Sequence, residues 1–285
     1  MQTNRLIALV DSSSYAESVC YYAAYLARKQ HHAVRLYHVV AKTNSQTNQD
    51  LSGAIKLGAR TALLEQLTRL DEAQAKLANA QGRAILDDAR DILTSQGVSD
   101  VETRLRQGEL VESVIKEETQ GDIIILGKRG VDASKAMDHI GSNLERIVRA
   151  SHRPVFVANR AFQPFDDLLI AYDGGTSSQK ILDYLVHNPS FNKHKITLVY
   201  VGHRSDWVDG LMRNACQQLE NAGYITGIHL QDGEPENVLA TMTDAKSQQL
   251  LMMGAYGHSR IRNLIIGSTT TAMIRSCKVP IFIIK

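Results

Sequence analysis

The chain repeats one ordered series of sequence signals, and this repeat constrains its fold more than any other feature. A short apolar run ends in an aspartate in "NRLIALVDSSS" and again in "DDLLIAYDGG". A strand-like run follows in each half, "AVRLYHVV" and "KITLVYVG", and later "DIIILGKRG" matches "QLLMMGAYG". The final blocks match too, since 13 positions separate Gly141 from Pro154 and also Gly267 from Pro280. The chain is therefore predicted to contain two copies of one domain.

Each half alternates strand-like and helix-like segments. The runs "LIALV" and "LLIAY" are unbroken by polar residues, which is typical of parallel strands buried on both faces. The segment "YAESVCYYAAYLARKQ" then places apolar residues at helical spacing. This alternation predicts an α/β fold with a parallel sheet flanked by helices in each half. The break is expected within "ANRAFQPFDD", so the predicted domains are residues 1–160 and 161–285.

The two halves differ most after their second strand, where the first spans 57 residues (41–97) and the second only 22 (202–223). The extra segment, about residues 41–97, opens with polar "KTNSQTNQD", which predicts a mobile loop, and continues with strong helix formers. Four leucines there lie at helical spacing: Leu63, Leu64, Leu67 and Leu70. We expect added helices that cover a flank of the sheet, with a lid or a partner-docking surface as the alternative.

Charge and cysteine usage exclude some classes of protein. The formal net charge is +2, with Lys and Arg spread along the chain, so there is no electrostatic case for nucleic acid or a membrane surface as partner. The three cysteines show no CxxC spacing, which indicates a reducing compartment and buried thiols. The apolar run at residues 6–10 is too short for a signal peptide, and no run approaches a membrane span. The expected location is the cytoplasm.

Spaced glycines in the second half suggest a place where the backbone approaches an anion. Gly254 and Gly257 follow the strand-like "QLLMM", and Gly267 and Ser268 precede the helical "TTTAMIRSC". A backbone without Cβ atoms can approach phosphate oxygens, and the free amides at a helix start favour an anion. The pattern is neither a P-loop nor GxGxxG, and turns and caps are its structural alternative. Its repetition in both halves favours anion binding.

The spacing Gly254-x2-Gly257-x9-Gly267-Ser268 resembles the ATP-binding signature of the universal stress protein family. The aspartates after the first strands, the strands "LYHVV" and "LVYVG", and the final strands "PVFVA" and "PIFII" are similar to that family as well. The resemblance covers both halves. It implies two tandem Rossmann-like domains of the adenine nucleotide α-hydrolase-like form, each a five-stranded parallel sheet flanked by helices. It also implies that the two final strands pair within the chain, while a further homodimer is left open.

The resemblance implies an adenine-nucleotide site in the second half. Asp173 would lie at the nucleoside end, the backbone of Val201 at adenine, and Met253 and Gly254 along the ribose and phosphate path. The phosphates would be held by Gly257, Gly267, Ser268 and Thr269. The structural alternatives are a turn or helix cap for Asp173 and core packing for Val201 and Met253.

A second, less regular copy of this site is expected in the first half. Its residues are Asp11, Val39, Leu126, Gly127, Gly130, Gly141, Ser142 and Asn143. Here ten residues instead of nine separate Gly130 from Gly141, and Asn143 replaces a hydroxyl residue. Lys128 and Arg129 would supply positive charge or belong to the solvated surface. The altered spacing predicts that nucleotide is held mainly in the second half.

The resemblance implies a stress-response regulatory protein that binds ATP, or AMP or ADP, with Mg²⁺ as a candidate companion ion. A slow ATPase and an interaction scaffold without nucleotide are the alternatives, and an unnamed protein partner is expected in the regulatory and scaffold cases. No catalytic residue is predicted, because the sequence shows neither a dedicated general base nor a metal-ligand cluster. His38 lies in a strand and is expected to be a packed core residue.

Overall fold

The computed structural model describes residues 4–41, 57–130, 142–188, 191, 194–246, 248–256 and 266–285. The first half contains β1 (Arg5–Leu9), α1 (Ala16–Gln30), β2 (Ala33–Val40), α2 (Leu57–Ser95), β3 (Val101–Gln107), α3 (Leu110–Glu117), β4 (Ile123–Gly127), α4 (Ser142–Ala150) and β5 (Val155–Ala158). The second half contains β6 (Asp167–Ala171), α5 (Thr176–His187), β7 (Lys195–Val201), α6 (Asp206–Asn221), β8 (Ile225–Gln231), α7 (Pro235–Ala245), β9 (Gln249–Gly254), α8 (Ser268–Ser276) and β10 (Ile281–Ile284).

The strands form one ten-stranded sheet in the order β3-β2-β1-β4-β5-β10-β9-β6-β7-β8. Each half contributes five parallel strands, and this confirms the predicted α/β fold. The halves join where β5 and β10 pair antiparallel, with Phe156 opposite Phe282. The predicted pairing of the two final strands is therefore present within the chain. It covers two apolar strands whose edges would otherwise be open to association.

Alternate residues of each strand enter two apolar layers, one on each face of the sheet. Leu6 and Ala8 of β1 belong to one layer, and Ile7 and Leu9 belong to the other. Both layers continue through β5 and β10 into the second half, so the halves share their cores. The unbroken apolar runs of the sequence follow from this arrangement, since helices cover both faces of a parallel sheet.

The segment between the halves is anchored by aromatic side chains. Phe165 is fully buried, and its ring centroid lies 5.0 Å from that of Tyr25 on α1. The Tyr25 hydroxyl donates to the Phe165 carbonyl at 2.7 Å, and the Gln163 amide donates to the Tyr22 hydroxyl at 3.2 Å. Phe162 packs on the same tyrosines. The predicted boundary is therefore a fixed connection that holds β6 against the first half.

The inserted segment forms the 39-residue helix α2, and among its described side chains those of the later part cover the sheet. Gly82 lies so close to the strands that an added Cβ would meet Leu105 Cδ1 at 2.7 Å. Leu86 and Leu93 are buried against the same layer. Leu70, by contrast, is 53% exposed, so this leucine of the stripe does not provide the expected cover, while the side chains of Leu63 and Leu64 lie outside the described residues. The reason is its place: residues 65–77 precede the part of the helix that reaches the sheet. Residues 42–50, predicted to be a mobile loop, lie outside the described residues.

The order of the strands creates a topological switch point in each half. From β1 the chain runs outward through β2 and β3 and then returns to the opposite side of β1 as β4. The connections therefore diverge at the carboxyl ends of β1 and β4, and in the second half at those of β6 and β9. Ligands of open α/β sheets bind at such switch points.

Candidate functional site

A cavity of about 370 Å³ lies at the carboxyl ends of the first-half strands. Its walls come from the residues that follow β1, β3 and β4, from the end of β2 and from the start of α4. Six residues predicted for the first-half site line it: Asp11, Val39, Leu126, Gly127, Gly130 and Asn143. Of the other two predicted residues, Gly141 and the side chain of Ser142 fall outside the described part of the chain. The structure thus gathers residues that are up to 132 positions apart in the sequence.

Asp11 is held by a turn at the end of β1. The Ser13 amide donates to Asp11 Oδ1 at 2.9 Å, which fixes one carboxylate oxygen. The other oxygen lies against the backbone of Gly130, where an added Cβ would come within 2.9 Å of Asp11 Oδ2. The carboxylate and the Gly130 backbone therefore form one wall of the cavity.

Gly127 brings the end of β4 against the start of α1. A Cβ added at Gly127 would lie 2.5 Å from Tyr15 Cβ, which is far inside a normal contact. Gly254 at the end of β9 shows the same approach, with 2.6 Å to Ser177 Cβ. Tyr15 and Ser177 are each the fourth residue after the aspartate of their half. The two glycines therefore allow the same close contact in both repeats, and part of the glycine signal reflects packing.

The cavity has an apolar end and a polar end. Leu9, Val10 and Val39 belong to the strands or follow them, and their side chains are largely withdrawn from solvent. At the other end lie Arg129 and the start of α4, whose free amides carry partial positive charge. An amphipathic ligand with an apolar ring and an anionic group matches this division.

His38 is both packed and part of the cavity wall. Its Nδ1–H donates to the Val10 carbonyl at 2.7 Å, and its ring lies under Gly82 of α2. The bond to a carbonyl requires the proton on Nδ1, so this nitrogen is not free to act as a base. The ring is packed, as expected, but it is half-buried and lines the cavity, so His38 does not occupy the expected core position.

The second-half aspartate makes a similar but tighter turn. Asp173 Oδ1 accepts from the Gly175 amide at 2.8 Å and from the Ser178 hydroxyl at 2.6 Å. These bonds join the end of β6 to the first turn of α5, so the turn role considered for this residue is present. Met253 is 3% exposed and lies in the core, and Val201 packs against the same layer. Asp173 therefore makes the turn, and Val201 and Met253 make the core contacts, that were given as their structural alternatives.

The start of α8 is tied to the end of β9. The Gly267 amide donates to the Ala255 carbonyl at 3.0 Å, and Thr270 Oγ1 donates to the Gly254 carbonyl at 2.9 Å. Gly267 is the N-cap, so Ser268 and Thr269 occupy the first turn of the helix. Gly257 and the loop to residue 265 are outside the described residues. These two hydrogen bonds hold together the two segments between which the predicted phosphate loop runs.

Comparisons with known proteins agree with this architecture. The sequence model of the Universal stress protein family matches residues 3–159 and 203–285. The chain belongs to the universal stress protein family. A curated universal stress protein of Synechocystis sp. is 33% identical over 280 residues, which cover 97% of this chain and 98% of the relative.

Solved structures show the same fold. A universal stress protein from Archaeoglobus fulgidus superposes with a TM-score of 0.72 at 20% identity, covering 100% of this chain and 99% of the other. A structure from Pseudomonas aeruginosa gives 0.63 at 12% identity, with coverage of 100% and 94%. At these identities the likeness concerns the fold alone.

Lys128 and Arg129 of this universal stress protein do not form a pair of solvated surface cations. Arg129 lines the cavity, as the charged alternative predicted. Lys128 is partly buried and donates from Nζ to the carbonyl of Cys277, in the other half. Burial lowers the pKa of Lys128. Of the two alternatives left open for Lys128, a solvated surface position does not describe it, because its carbonyl partner lies 149 residues away and cannot be seen from local sequence.

The sequence interpretation missed one charged residue at the cavity. Glu109 follows Gly108, whose φ of +118° turns the chain after β3, and it binds Arg146 of α4 at 2.6 Å. The hydrogen bond from Arg146 lowers the pKa of Glu109. A usable signal was present, since the second half repeats the pair as Gly233 and Glu234, with a φ of +136° at the glycine.

The remaining sequence expectations concern thiols, metals and membranes. Cys20, Cys216 and Cys277 are free and buried, as predicted, and burial raises the pKa of Cys20 to about 12. Within the described ranges, no group of three or more His, Cys, Asp or Glu residues could hold a metal ion. No helix in the same part of the chain is long and apolar enough to cross a membrane.

Proposed function

We propose that this universal stress protein is a regulatory protein that binds an adenine nucleotide (ATP, or ADP or AMP) at the carboxyl ends of the strands in each half. The observation that carries the proposal is the first-half cavity. It joins six residues that the sequence singled out for nucleotide binding, and its volume of about 370 Å³ lies in the range of small-molecule pockets. In the second half, support comes from the intact glycine spacing and from the two hydrogen bonds between the segments that flank the loop.

The polarity of the cavity orients the nucleotide. The adenine ring would lie among Leu9, Val10 and Val39, where a flat apolar ring loses little by leaving water. Asp11 would accept hydrogen bonds from the ribose hydroxyls, because an ionised carboxylate only accepts. The phosphates would meet Gly130 and the first turn of α4, with Arg129 beside them.

The described residues favour binding over hydrolysis. With no cluster of protein ligands in that part of the chain, Mg²⁺ would be held mainly by the phosphates, with Asp11 as the carboxylate within reach. The ion would neutralise phosphate charge. His38 donates through Nδ1 to a backbone carbonyl, so it is not set up as a general base through that atom. A slow ATPase is therefore the second candidate, and a nucleotide-free scaffold is the third.

Titration calorimetry of nucleotide-stripped protein with ATP, ADP and AMP tests the proposal. We expect saturable binding of two nucleotides in the wild type and of one in each of Gly130→Val and Gly267→Val. Valine at 130 would press on Asp11 Oδ2 and fill the polar end of the cavity. Gly210→Val is the matched control, because a Cβ at that helix position has no neighbour within 4 Å. No saturable binding at millimolar nucleotide would reject the function and favour the scaffold.

The same variants test which site binds ATP more tightly and whether ATP is hydrolysed. The regular spacing in the second half predicts that Gly130→Val, which retains that site, binds ATP more tightly than Gly267→Val. Phosphate release above the level of the double variant Gly130→Val/Gly267→Val would support the ATPase. Three free, buried thiols fit the reducing cytoplasm as the compartment in which the protein acts.

A further inference from the structure

Lys128 connects the first-half site to the far end of a second-half helix. It lies between Gly127 and Arg129, both of which line the cavity. Its Nζ donates to the carbonyl of Cys277, the C-cap of α8. The other end of α8 begins at Ser268, beside the predicted phosphate loop of the second half. A single nine-residue helix thus separates the Lys128 contact from the second-half site.

Lys285 makes the reciprocal connection. It follows Ile284 at the end of β10, and Ile284 pairs with Gly254 of the second-half site. Its Nζ donates to the carbonyls of Arg149 and Ser151, each at 2.6 Å, at the end of α4. The start of α4 lines the first-half cavity. Each half therefore sends a lysine from beside its own site to the last turn of the helix that serves the other site.

Both contacts are suited to carrying a displacement. The carbonyls at a helix C-terminus have no partners within the helix and carry partial negative charge, so an ammonium group binds them well. Both ammonium groups are partly buried, and burial lowers the pKa of Lys285 to about 8. A short helix moves as a unit, because its backbone hydrogen bonds resist local stretching. Movement of α8 therefore moves Cys277, and with it Lys128 and the loop of residues 127–130.

We propose that the two nucleotide sites are coupled through the contacts of Lys128 with α8 and of Lys285 with α4, so that nucleotide in one half strengthens binding in the other. This coupling rests on the proposed function. A nucleotide that fixes the start of α8 also fixes the loop that must bind the second nucleotide. The entropy cost of ordering α8 and the loop is then met by the first nucleotide and does not recur for the second. This gives positive cooperativity without a large change of shape.

The coupling is measured by comparing single-site and two-site titrations with ATP. Gly267→Val reports the first-half site alone, and Val39→Trp reports the second-half site alone. Val39→Trp is chosen because the larger side chain would fill the apolar end of the cavity, where adenine is proposed to bind, and leaves residues 127–130 unchanged. Two independent sites would make the wild-type isotherm the sum of these two curves. We expect instead a coupling factor of about 5 or more, at the lower end of the usual range for allosteric pairs.

The lysine variants identify the path. Lys128→Met and Lys285→Met, each introduced into all three backgrounds, should lower the coupling factor, and together they should bring it to about one. Lys278→Met is the matched control and should leave the factor unchanged, because Lys278 is an exposed lysine that pairs with Asp244 in its own half. Circular dichroism melting verifies that each variant folds. If Lys128→Met does not fold, Lys285→Met tests the reciprocal contact alone.

The outcomes separate the coupling from the function on which it rests. Absence of binding in the wild type and in both single-site proteins would reject the proposed function and the coupling together. Binding at two sites whose isotherm equals the sum of the single-site curves would reject the coupling only. Binding at a single site would reject the coupling as well. A coupling factor that survives in the double lysine variant would reject the proposed path through Lys128 and Lys285.

Discussion

Replacement of Gly127 by alanine tests the close contact on which the geometry of the first-half cavity depends. An added Cβ would lie 2.5 Å from Tyr15 Cβ and 2.9 Å from Tyr15 Cγ. An ordinary contact between carbon atoms needs about 3.5 Å, so the strand end and the helix start must separate by about 1 Å. The nearest atom is close to the backbone of Tyr15, so a change of side-chain rotamer cannot relieve the clash.

The expected loss of stability follows from two opposing contributions. Extra volume in a packed region destabilises by about 1–3 kcal/mol, whereas replacing glycine stabilises by about 0.4–1 kcal/mol through the unfolded chain. The net loss is therefore centred on about 1.3 kcal/mol, within limits of about 0 and 2.6 kcal/mol. Displacement of α1 also moves the turn that holds Asp11, so affinity for ATP should fall in the same variant.

Urea unfolding followed by circular dichroism measures the change, and two other glycines calibrate it. Gly254→Ala should lose a similar amount, because its Cβ would lie 2.6 Å from Ser177 Cβ. Gly210→Ala lies within α6 with no neighbour inside 4 Å, so it should gain about 0.5–1 kcal/mol from helix propensity. If Gly127→Ala is as stable as the wild type while Gly210→Ala behaves as expected, the steric argument is wrong.

Three further predictions concern the joint between the halves. Phe165→Ala should lower the free energy of unfolding by about 3–5 kcal/mol because the ring is fully buried, and the half-buried Phe162→Ala should lower it less, both measured by urea unfolding. Burial, and after it Lys29, lowers the pKa of His194 in the folded state, so stability should fall as pH drops below about 6.5. His194→Gln should weaken that fall in unfolding series between pH 8 and 5. Because the folded pKa of Lys285 is about 8 against 10.5 when unfolded, stability relative to Lys285→Met should rise between those pH values; a constant difference would contradict this.

The sequence was sufficient where the signal is local and repeated. Asp11 and Asp173 follow a strand, and Gly127 and Gly254 end one. The topology rule for parallel sheets places all four at the carboxyl ends of the strands in their half. The duplication strengthens this prediction, since the same pattern of aspartate and glycine occurs in both copies. The α/β class and the two repeats could therefore be derived without coordinates, and the family resemblance named six of the residues that line the first-half cavity.

Sequence reasoning failed where a contact joins distant parts of the chain. Lys128 has the local environment of a surface cation, and only the pairing of β5 with β10 brings Cys277 to it. The leucine stripe near Leu70 has the right helical period, but periodicity does not tell which part of a long helix reaches the sheet. Glu109 was missed for another reason, because a turn glycine before a helix is a weak signal until its repeat is noticed.

The antiparallel joint of β5 with β10 has a consequence for the surfaces that the two halves present. Strands are parallel within a half and reversed between halves, so the carboxyl ends of the two sets of strands lie at opposite rims of the sheet. A molecule docked over one rim therefore cannot reach the strand ends at the other. Under the proposed function, the two nucleotides would face different partners, one at each rim.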